Sequence, residues 1–549
     1  MGVDLSAEAQ MVKDITAKFT TSFGKNYTKM YAVALLKISK KQMEKEAKGS
    51  PWKLMKCLEE PSAPPVKAGV VNKLSKYLKN WNPRYVVVKG DYLIDYYENE
   101  DKFHKGAKPL GSINMSNRQL NRDANDTAIN RLKALAEKCK IDISQMPQPD
   151  KAPDHTLEIY HETKGSILLQ CPDAAANKEW GDVLDRCRWN APRFDEWKDK
   201  ANVWAFPNAL WRTRWECDMW GWWWGGGGET CMLCDAVNQK IAYDVMGSVD
   251  AKLTMPWSAR SRIRNKFMQT SDGVVTSAVD PFWKTLYSTV QKMRPELEAK
   301  IKEGMGPIVE AQQGLKTKIV EQAQAGAKDT LNKEVSPHLG PLLEIIFGPV
   351  NEAFSLLLKS YDVAVEKGKA KYLVRHHDDK RMYLVRHYNY NSEYWDAYRK
   401  FSDLYDPLNA MSKVFSQVWP WSILSKAQRR LRKILNNALF TLENRFEEGK
   451  ADGKTFDAAA LETRQLLEAD CQTAVSRVLG RILFDVVAPF FNDTVIKLSR
   501  KLVAPMADAV PDALKTFVDP EELLEEVMYD ILRGVCTTVV EPYAAKVKI

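Results

Sequence analysis

The sequence predicts an α+β multidomain protein: a small antiparallel β-barrel or sandwich with a C-terminal helix lies inside an otherwise all-α, elongated helical-bundle protein. Two observations lead to this prediction. Short β-branched and aromatic runs separated by polar turns fill residues 66–191, and helical periodicity dominates the rest of the chain. With 549 residues, the chain is long enough for several domains of about 150 residues each.

Residues 1–60 are predicted to form an N-terminal helical segment. Phe23, Tyr27 and Tyr31 recur on one side of the predicted helix, and lysines occupy the side that faces water. The proline-rich stretch 60–65 ends the helix, because proline lacks a backbone donor and restricts the residue before it.

Five short runs in residues 66–191 predict antiparallel strands. They are residues 69–73, 84–89, 92–97, 157–160 and 166–171. An amphipathic helix at residues 173–189, with Trp180 on its apolar side, closes the segment. Several strands followed by one helix predict a small barrel or orthogonal sandwich that the helix plugs.

Residues 192–240 form a junction rich in tryptophan and glycine. Its tryptophans are Trp197, Trp204, Trp211, Trp215, Trp220, Trp222, Trp223 and Trp224, and four glycines follow at residues 225–228. The cluster could be a ligand cage or a base-stacking platform, but packing between the barrel and the helices is favoured because indole rings bury large areas.

Residues 241–549 are predicted to be a long all-α region. Leu467, Cys471, Ala474, Val478 and Ile482 form one apolar stripe, because they are spaced four, three, four and four residues apart. Near the end of the chain, Asp519 followed by Pro520 and two glutamates is typical of a capped helix start.

Composition excludes several classes of protein. With 45% apolar and 28% charged residues, the chain is neither wholly disordered nor fibrous. The net charge of +9 suits weak attraction to an anionic membrane and is too diffuse for a nucleic-acid binder. The nine cysteines are scattered, and no signal peptide or apolar run of about 18 residues is evident, so we expect a soluble cytoplasmic protein.

No pattern of residues predicts catalysis, a metal site or a cofactor. The run Gly453-Lys454-Thr455 resembles the end of a phosphate-binding loop, but helix precedes it where a strand is required, so an interhelical loop is favoured. Cys231 and Cys234 form a CxxC without a second ligand pair, which favours buried free thiols. We therefore expect a protein that is not an enzyme.

Two basic clusters lie in the helical region, at residues 260–266 and 426–433. Either cluster could contact phospholipid or an acidic partner. The solvated face of a helix is the favoured explanation for both, because runs of charge usually face water.

Two features predict contact with membranes. The first six residues, MGVDLS, fit the N-myristoylation pattern with Gly2 as the acceptor, although one myristoyl chain binds membrane only marginally. The second feature is a group of cations on the first two predicted strands and their connection: Lys73, Lys76, Lys79 and Arg84. These side chains could converge on the phosphates of a lipid headgroup.

These residues also carry a resemblance to known families. WNPRYVVVK at residues 81–89, DYYEN at residues 95–99 and Trp180 resemble a pleckstrin-homology (PH) domain. More narrowly, the chain resembles the Niban family in its Met-Gly start, in YAVAL at residues 31–35 and in NALFTLE at residues 437–443. The Trp222–Gly228 element has no counterpart that we can place in that family.

The resemblance implies a non-catalytic adaptor that is cytoplasmic and peripherally associated with the plasma membrane. It also implies links to stress survival, suppression of apoptosis and kinase signalling. In PH domains that bind phosphoinositides, a lysine on the first strand precedes a basic residue and an arginine on the second. Lys73 and Arg84 match the outer positions, whereas Asn82 replaces the middle basic residue. The resemblance therefore implies weak electrostatic binding to anionic phospholipid.

Two functional hypotheses follow. The first is an adaptor held at the membrane by the barrel, with Gly2 acylation as a possible second contact, whose helical region binds protein partners that the sequence does not identify. The alternative is a structural, self-assembling protein whose helices and Trp204–Trp224 cluster mediate homo-oligomerisation.

Overall fold

A seven-stranded antiparallel sheet and a large set of helices make up the computed structural model. It describes residues 3–48, 51–57, 65–75, 80–90, 92–115, 118–139, 142–145, 148, 151–161, 165–190, 199–219, 228–255, 257–375, 382–388, 391–415 and 418–547. The predicted fold class is confirmed.

The sheet has one continuous order of strands. The strands are β1 (Lys67–Leu74), β2 (Trp81–Val88), β3 (Ile94–Tyr97), β4 (Gly111–Ile113), β5 (Gln119–Asn121), β6 (Thr156–His161) and β7 (Gly165–Gln170). Their spatial order is β4-β3-β2-β1-β7-β6-β5, so the first and last strands pair at the centre of the sheet. The short strands β4 and β5 were not predicted, because three residues are too few to show an alternating pattern.

Alternate residues of the strands build the core of the sheet. Val71, Val86 and Ile94 are buried there, and Trp180 of the closing helix packs against them. A closing helix was predicted at residues 173–189, and the structure has it at Ala174–Asn190. The inward face of the sheet is thus apolar except near the β1–β2 hairpin.

Helices account for most of the remaining described chain. They are α1 (Ser6–Lys48), α2 (Glu100–His104), α3 (Ala124–Cys139), α4 (Ala174–Asn190), α5 (Lys200–Glu216), α6 (Glu229–Asp244), α7 (Met246–Lys252), α8 (Trp257–Thr330), α9 (Ser336–Leu373), α10 (Tyr383–Tyr388), α11 (Ser392–Ser402), α12 (Tyr405–Ala410), α13 (Pro420–Gly449), α14 (Phe456–Phe491), α15 (Lys497–Val503) and α16 (Pro520–Ala544). The predicted stripe from Leu467 to Ile482 is buried along α14, as expected.

The chain divides into two compact units. The sheet unit consists of Met1–Thr21, Glu59–Val203 and Gly225–Thr285. The helical unit consists of Ser22–Leu58, Trp204–Trp224 and Leu286–Ile549. Each unit therefore combines three stretches that are distant in sequence. The linear division at residues 60, 191 and 240 stays a prediction.

Aromatic side chains from distant stretches share the core of the helical unit. The ring of Phe23 on α1 lies 5.8 Å from that of Tyr27 and 5.2 Å from that of Phe206 on α5, measured between centroids. All three rings are fully buried. The aromatic side predicted for the N-terminal helix is thus a core surface.

One helical stretch of the described chain, Arg262–Leu373, is long and apolar enough to cross a membrane by length and composition. The sequence had suggested that no such stretch exists. Leu343, Ile346 and Val350 of this stretch are buried in the core, although only 44% of its apolar window is buried. Core helices of proteins without membrane spans pass the same test, so this finding assigns no span.

Candidate anion-binding site on the β-sheet

The pairing of β1 with β2 brings two of the predicted lipid-binding residues to one face of the sheet. Lys73 lies opposite Asn82, and Arg84 lies opposite Val71. Cross-strand partners and alternate residues point to the same face, so Lys73 and Arg84 share the face of the buried Val71. The two cations stand where the core ends, close to the hairpin, and both are half-buried.

Lys73 lies in a confined and positively charged environment. Its Nζ atom is 4.9 Å from the centre of the Tyr96 ring on β3, a distance at which a cation is attracted to the ring face. Burial lowers the pKa of Lys73, and the nearby positive charge of Arg84 lowers it further. An anion between the two side chains would relieve both effects.

Arg84 makes one hydrogen bond at the site, from its guanidinium Nη1 to the carbonyl oxygen of Pro83 at 2.8 Å. Among the described residues, neither Arg84 nor Lys73 has a carboxylate within ion-pair distance. The pair is therefore a concentrated positive charge that the described protein does not neutralise.

Four other cations of the sheet unit are paired with carboxylates. The ion pairs are Lys67 with Glu179 at 2.5 Å, Lys89 with Asp95 at 3.3 Å, Arg122 with Asp182 at 2.7 Å and Asp185 at 2.8 Å, and Arg131 with Glu158 at 2.6 Å. These four cations thus bind carboxylates of the sheet unit, whereas Lys73 and Arg84 have no such partner among the described residues.

Gly111 positions the Tyr96 ring, a role that the sequence did not reveal. A Cβ atom at Gly111 would lie 2.7 Å from Cζ of Tyr96, which is closer than a side chain tolerates. Glycine at this position lets the ring lie against β4, where it covers Lys73. A lone glycine that begins a three-residue strand gives no signal in the sequence.

The remaining predicted site residues cannot be placed in the same way. Lys76 and Lys79, in the β1–β2 connection, and Gly2, the predicted acylation site, lie outside the described residues. Asn82, at the position where the resembling domains have a basic residue, donates from its side-chain amide to the carbonyl oxygen of Asn80 at 3.1 Å. Asn82 thus stabilises the hairpin.

The other candidate sites have structural roles in the described chain. Both thiols of the CxxC were expected to be buried; on α6, Cys234 is buried and Cys231 is half-buried. Burial raises the pKa of Cys234 to about 11, so its thiol stays protonated. Thr455 caps α14 by accepting a hydrogen bond from the Ala458 N–H at 3.2 Å. Among the described residues, no group of three or more His, Cys, Asp or Glu side chains could hold a metal ion.

The described tryptophans of the junction pack within the helical unit. Trp215 is buried, and the centre of its ring lies 5.8 Å from that of Trp211. The guanidinium of Arg500 lies 4.3 Å from the centre of the Trp215 ring. The Lys37 ammonium lies 4.4 Å from the ring centre of Trp204. Trp197, Trp220 and Trp222 to Trp224 are outside the described residues, so self-assembly through them stays a prediction.

The basic cluster at residues 426–433 is at least partly internal. Lys426 forms an ion pair of 2.8 Å with the buried Asp485, and burial lowers the pKa of Lys426 to about 8. The Arg430 guanidinium lies 4.8 Å from the ring centre of Trp52. These two cations stabilise the helical unit.

The sheet, its closing helix and the cation pair define the class of this protein: a helical protein with an inserted PH domain. The family model of the PH domain matches residues 65–188, a range that contains all seven strands and most of α4. The chain is 28% identical over 536 residues to a PH domain-containing protein of Dictyostelium discoideum, covering 96% of this chain and 98% of that one.

Within that class, the chain is Niban-like. It is 21% identical to human Niban 1, over 93% of this chain and 56% of Niban 1, and 20% identical to human Niban 2, over 96% of this chain and 73% of Niban 2. The crystal structure of human FAM129B/MINERVA/NIBAN2 superimposes with a TM-score of 0.77 and covers 99% of both chains at 18% identity. The chain thus spans little more than half of Niban 1, and the structural likeness shows a shared fold. The resemblance inferred from the sequence is confirmed.

Proposed function

We propose that this protein is a non-enzymatic adaptor that binds anionic phospholipid through its PH domain and protein partners through its helical unit. The observation that carries the proposal is the half-buried pair of Lys73 and Arg84, which no described carboxylate neutralises. Phosphate oxygens are acceptors that suit an arginine and a lysine side by side.

The proposal places the protein in the cytoplasm at the inner leaflet of the plasma membrane. Weak, charge-driven binding is expected, because Asn82 stands where a third cation would strengthen the site. Acylation of Gly2 would add a second membrane contact, and two contacts hold a protein at a membrane more firmly than one. A role in stress survival or kinase signalling is part of the proposal and comes from the likeness to Niban proteins.

Co-sedimentation of the unacylated full-length chain with vesicles tests the lipid site. Vesicles of neutral lipid are compared with vesicles that contain phosphatidylserine or a single phosphoinositide. The double variant Lys73→Glu/Arg84→Glu should lose about 2 kcal/mol of binding free energy, or roughly thirtyfold in affinity, because each basic residue near an anionic surface contributes about 1 kcal/mol.

A second double variant provides the matched control. Lys133→Glu/Lys178→Glu changes the net charge by the same amount at exposed positions on α3 and α4, away from the hairpin. It should bind nearly as well as the wild type. Equal loss in both variants would mean that total charge alone attracts the membrane, and undiminished binding of the Lys73/Arg84 variant would refute the site.

A further inference from the structure

Residues 51–57, which we call the strap, lie across two helices of the helical unit without forming a helix or strand of their own. Side chains of the helices hold the strap by its backbone. The N–H groups of Lys53 and Leu54 donate to the two carboxylate oxygens of Asp470 on α14, at 2.8 and 3.2 Å. Two of the next three N–H groups donate to side chains of α13.

Two polar side chains of α13 accept the other backbone hydrogen bonds of the strap. The Met55 N–H donates to Oγ1 of Thr441 at 2.9 Å, and the Cys57 N–H donates to Oδ1 of Asn437 at 2.8 Å. Both acceptors belong to NALFTLE at residues 437–443. They lie one helical turn apart on the same face of α13, which matches an extended peptide.

Two side chains of the strap complete the contact. Leu54 is only 7% exposed. Trp52, two residues earlier, lies between two arginines: the guanidinium groups of Arg430 on α13 and Arg477 on α14 are each 4.8 Å from the centre of its ring. The helices therefore recognise an aromatic residue, a leucine two positions later and the backbone donors around them.

The acceptors need these donors. Asp470 is 2% exposed, and the donors that reach its carboxylate from the described residues are the N–H groups of Lys53 and Leu54. A buried carboxylate without donors is strongly unfavourable, so the groove between α13 and α14 requires a peptide backbone or water at this place.

The strap itself is held by little apolar burial. Its side chains at Pro51, Lys53, Met55 and Lys56 are exposed, those of Trp52 and Cys57 are half-buried, and only Leu54 of residues 51–57 is fully buried. Segments with few buried apolar contacts open at much lower free energy than the core around them. We therefore expect the strap to open at a lower free energy than α13 and α14 unfold.

We propose that the groove between α13 and α14 is a binding site for an extended peptide of a partner protein, and that the strap occupies it as an intramolecular competitor. The peptide would carry an aromatic residue and a leucine two positions later. Acidic residues beside the aromatic one would suit Arg430 and Arg477. The strap, seated on the groove with this spacing, is the template for the partner's chemistry. This site is separate from the lipid site, and neither depends on the other.

A labelled synthetic peptide with the sequence of residues 50–58 tests the proposal by fluorescence anisotropy with the full-length chain. The variant Trp52→Ala/Leu54→Ala, which weakens the strap, should bind the peptide about tenfold or more tightly than the wild type, because apparent affinity rises with the fraction of open sites. Adding Asp470→Asn to that variant should abolish the gain.

Three controls keep the outcome decisive. Lys53→Ala/Lys56→Ala truncates two exposed side chains of the same strap and should leave the groove closed. Met55→Pro removes the donor to Thr441 without shortening a buried side chain, and should open the groove to a smaller degree. A peptide of the same composition with the tryptophan and leucine moved apart should not bind. Equal affinity for the wild type and the opened variants, or binding that survives Asp470→Asn, would overturn the proposal.

Discussion

Glu525 on α16 is a carboxylate whose ionisation the surrounding protein resists. It is buried in the helical unit among charged side chains. Arg212 and Arg500 attract its negative charge, and Glu521 and Glu522 repel it. Burial raises the pKa of Glu525 to about 7, because the desolvation of its charge outweighs the attraction of the two arginines. The folded protein therefore binds a proton that the unfolded chain releases at a lower pH.

The sign of the effect on stability follows from linkage. Between the ordinary pKa of a glutamate and about 7, the folded state holds more protons, so this group makes stability fall as the pH rises. Glu525→Gln should raise the free energy of unfolding at pH 8 by up to about 3 kcal/mol. Urea unfolding at pH 8 and pH 4.5 checks this prediction, and the gain should vanish at the lower pH. A variant that is less stable than the wild type at both pH values would contradict it.

At the scale of single elements, the loop before α14 contains Gly453-Lys454-Thr455, which resembles a phosphate-binding loop but also suits a turn that starts a helix. Gly453 has a φ of +78°, a conformation that side chains other than glycine rarely adopt, so it makes the turn. Lys454 forms an ion pair with Glu462 at 2.6 Å, and Thr455 caps the helix. Each residue of Gly-Lys-Thr thus has a local role without a phosphate.

The cap can be tested directly. Thr455→Ala should lower the free energy of unfolding by about 1 kcal/mol, because one of the first N–H groups of α14 loses its acceptor. Thr455→Ser keeps the hydroxyl and should stay within a few tenths of a kcal/mol of the wild type. Thermal unfolding measured with and without Mg²⁺-ATP gives the second readout. If Mg²⁺-ATP raises the melting temperature of the wild type but not of Thr455→Ala, the run Gly453-Lys454-Thr455 binds nucleotide, and its interpretation as an interhelical loop alone is wrong.

At the scale of the whole molecule, a segment can fold alone only if its core is built from residues of that same segment. The core of the sheet, from Val71 to Cys187, lies entirely within the segment that the PH family model matches. The helical unit instead takes core aromatic residues such as Phe23, Tyr27 and Phe206 from stretches that are far from residues 286–549. Loss of α1 would remove several fully buried rings, each contributing about 2 to 3 kcal/mol.

Two fragments follow from this argument. Residues 65–188 expressed alone should unfold in one cooperative transition, followed by circular dichroism. Residues 65–549, which lack α1 and the strap, should bind a hydrophobic dye and melt without a sharp transition, because the helical unit has lost part of its core. A chain that lacks only residues 1–3 is the control and should melt like the full protein. Full cooperativity in the 65–549 fragment would show that α1 is dispensable to the fold.

Much of the fold could be predicted because its signals are local. The β-branched run Val86–Val88 predicted a strand, and the spacing from Leu467 to Ile482 predicted a helix face. Strands β4 and β5 escaped prediction, since at three residues each they depend on neighbouring strands. Of the candidate site, Lys73 and Arg84 were predicted from their positions on two adjacent strands, whereas Tyr96 and Gly111 were missed.

By itself, the sequence determined the fold class, the closing helix of the PH domain and the cation pair on its first hairpin. Periodicity, turn residues and charge act over a few residues, and the chain therefore displays them directly. Only the tertiary structure decided that Tyr96 covers Lys73, that three distant stretches share one helical core, and that residues 51–57 dock on α13 and α14. Those contacts join residues far apart in the chain, and their free energy depends on shape and burial that exist only after folding.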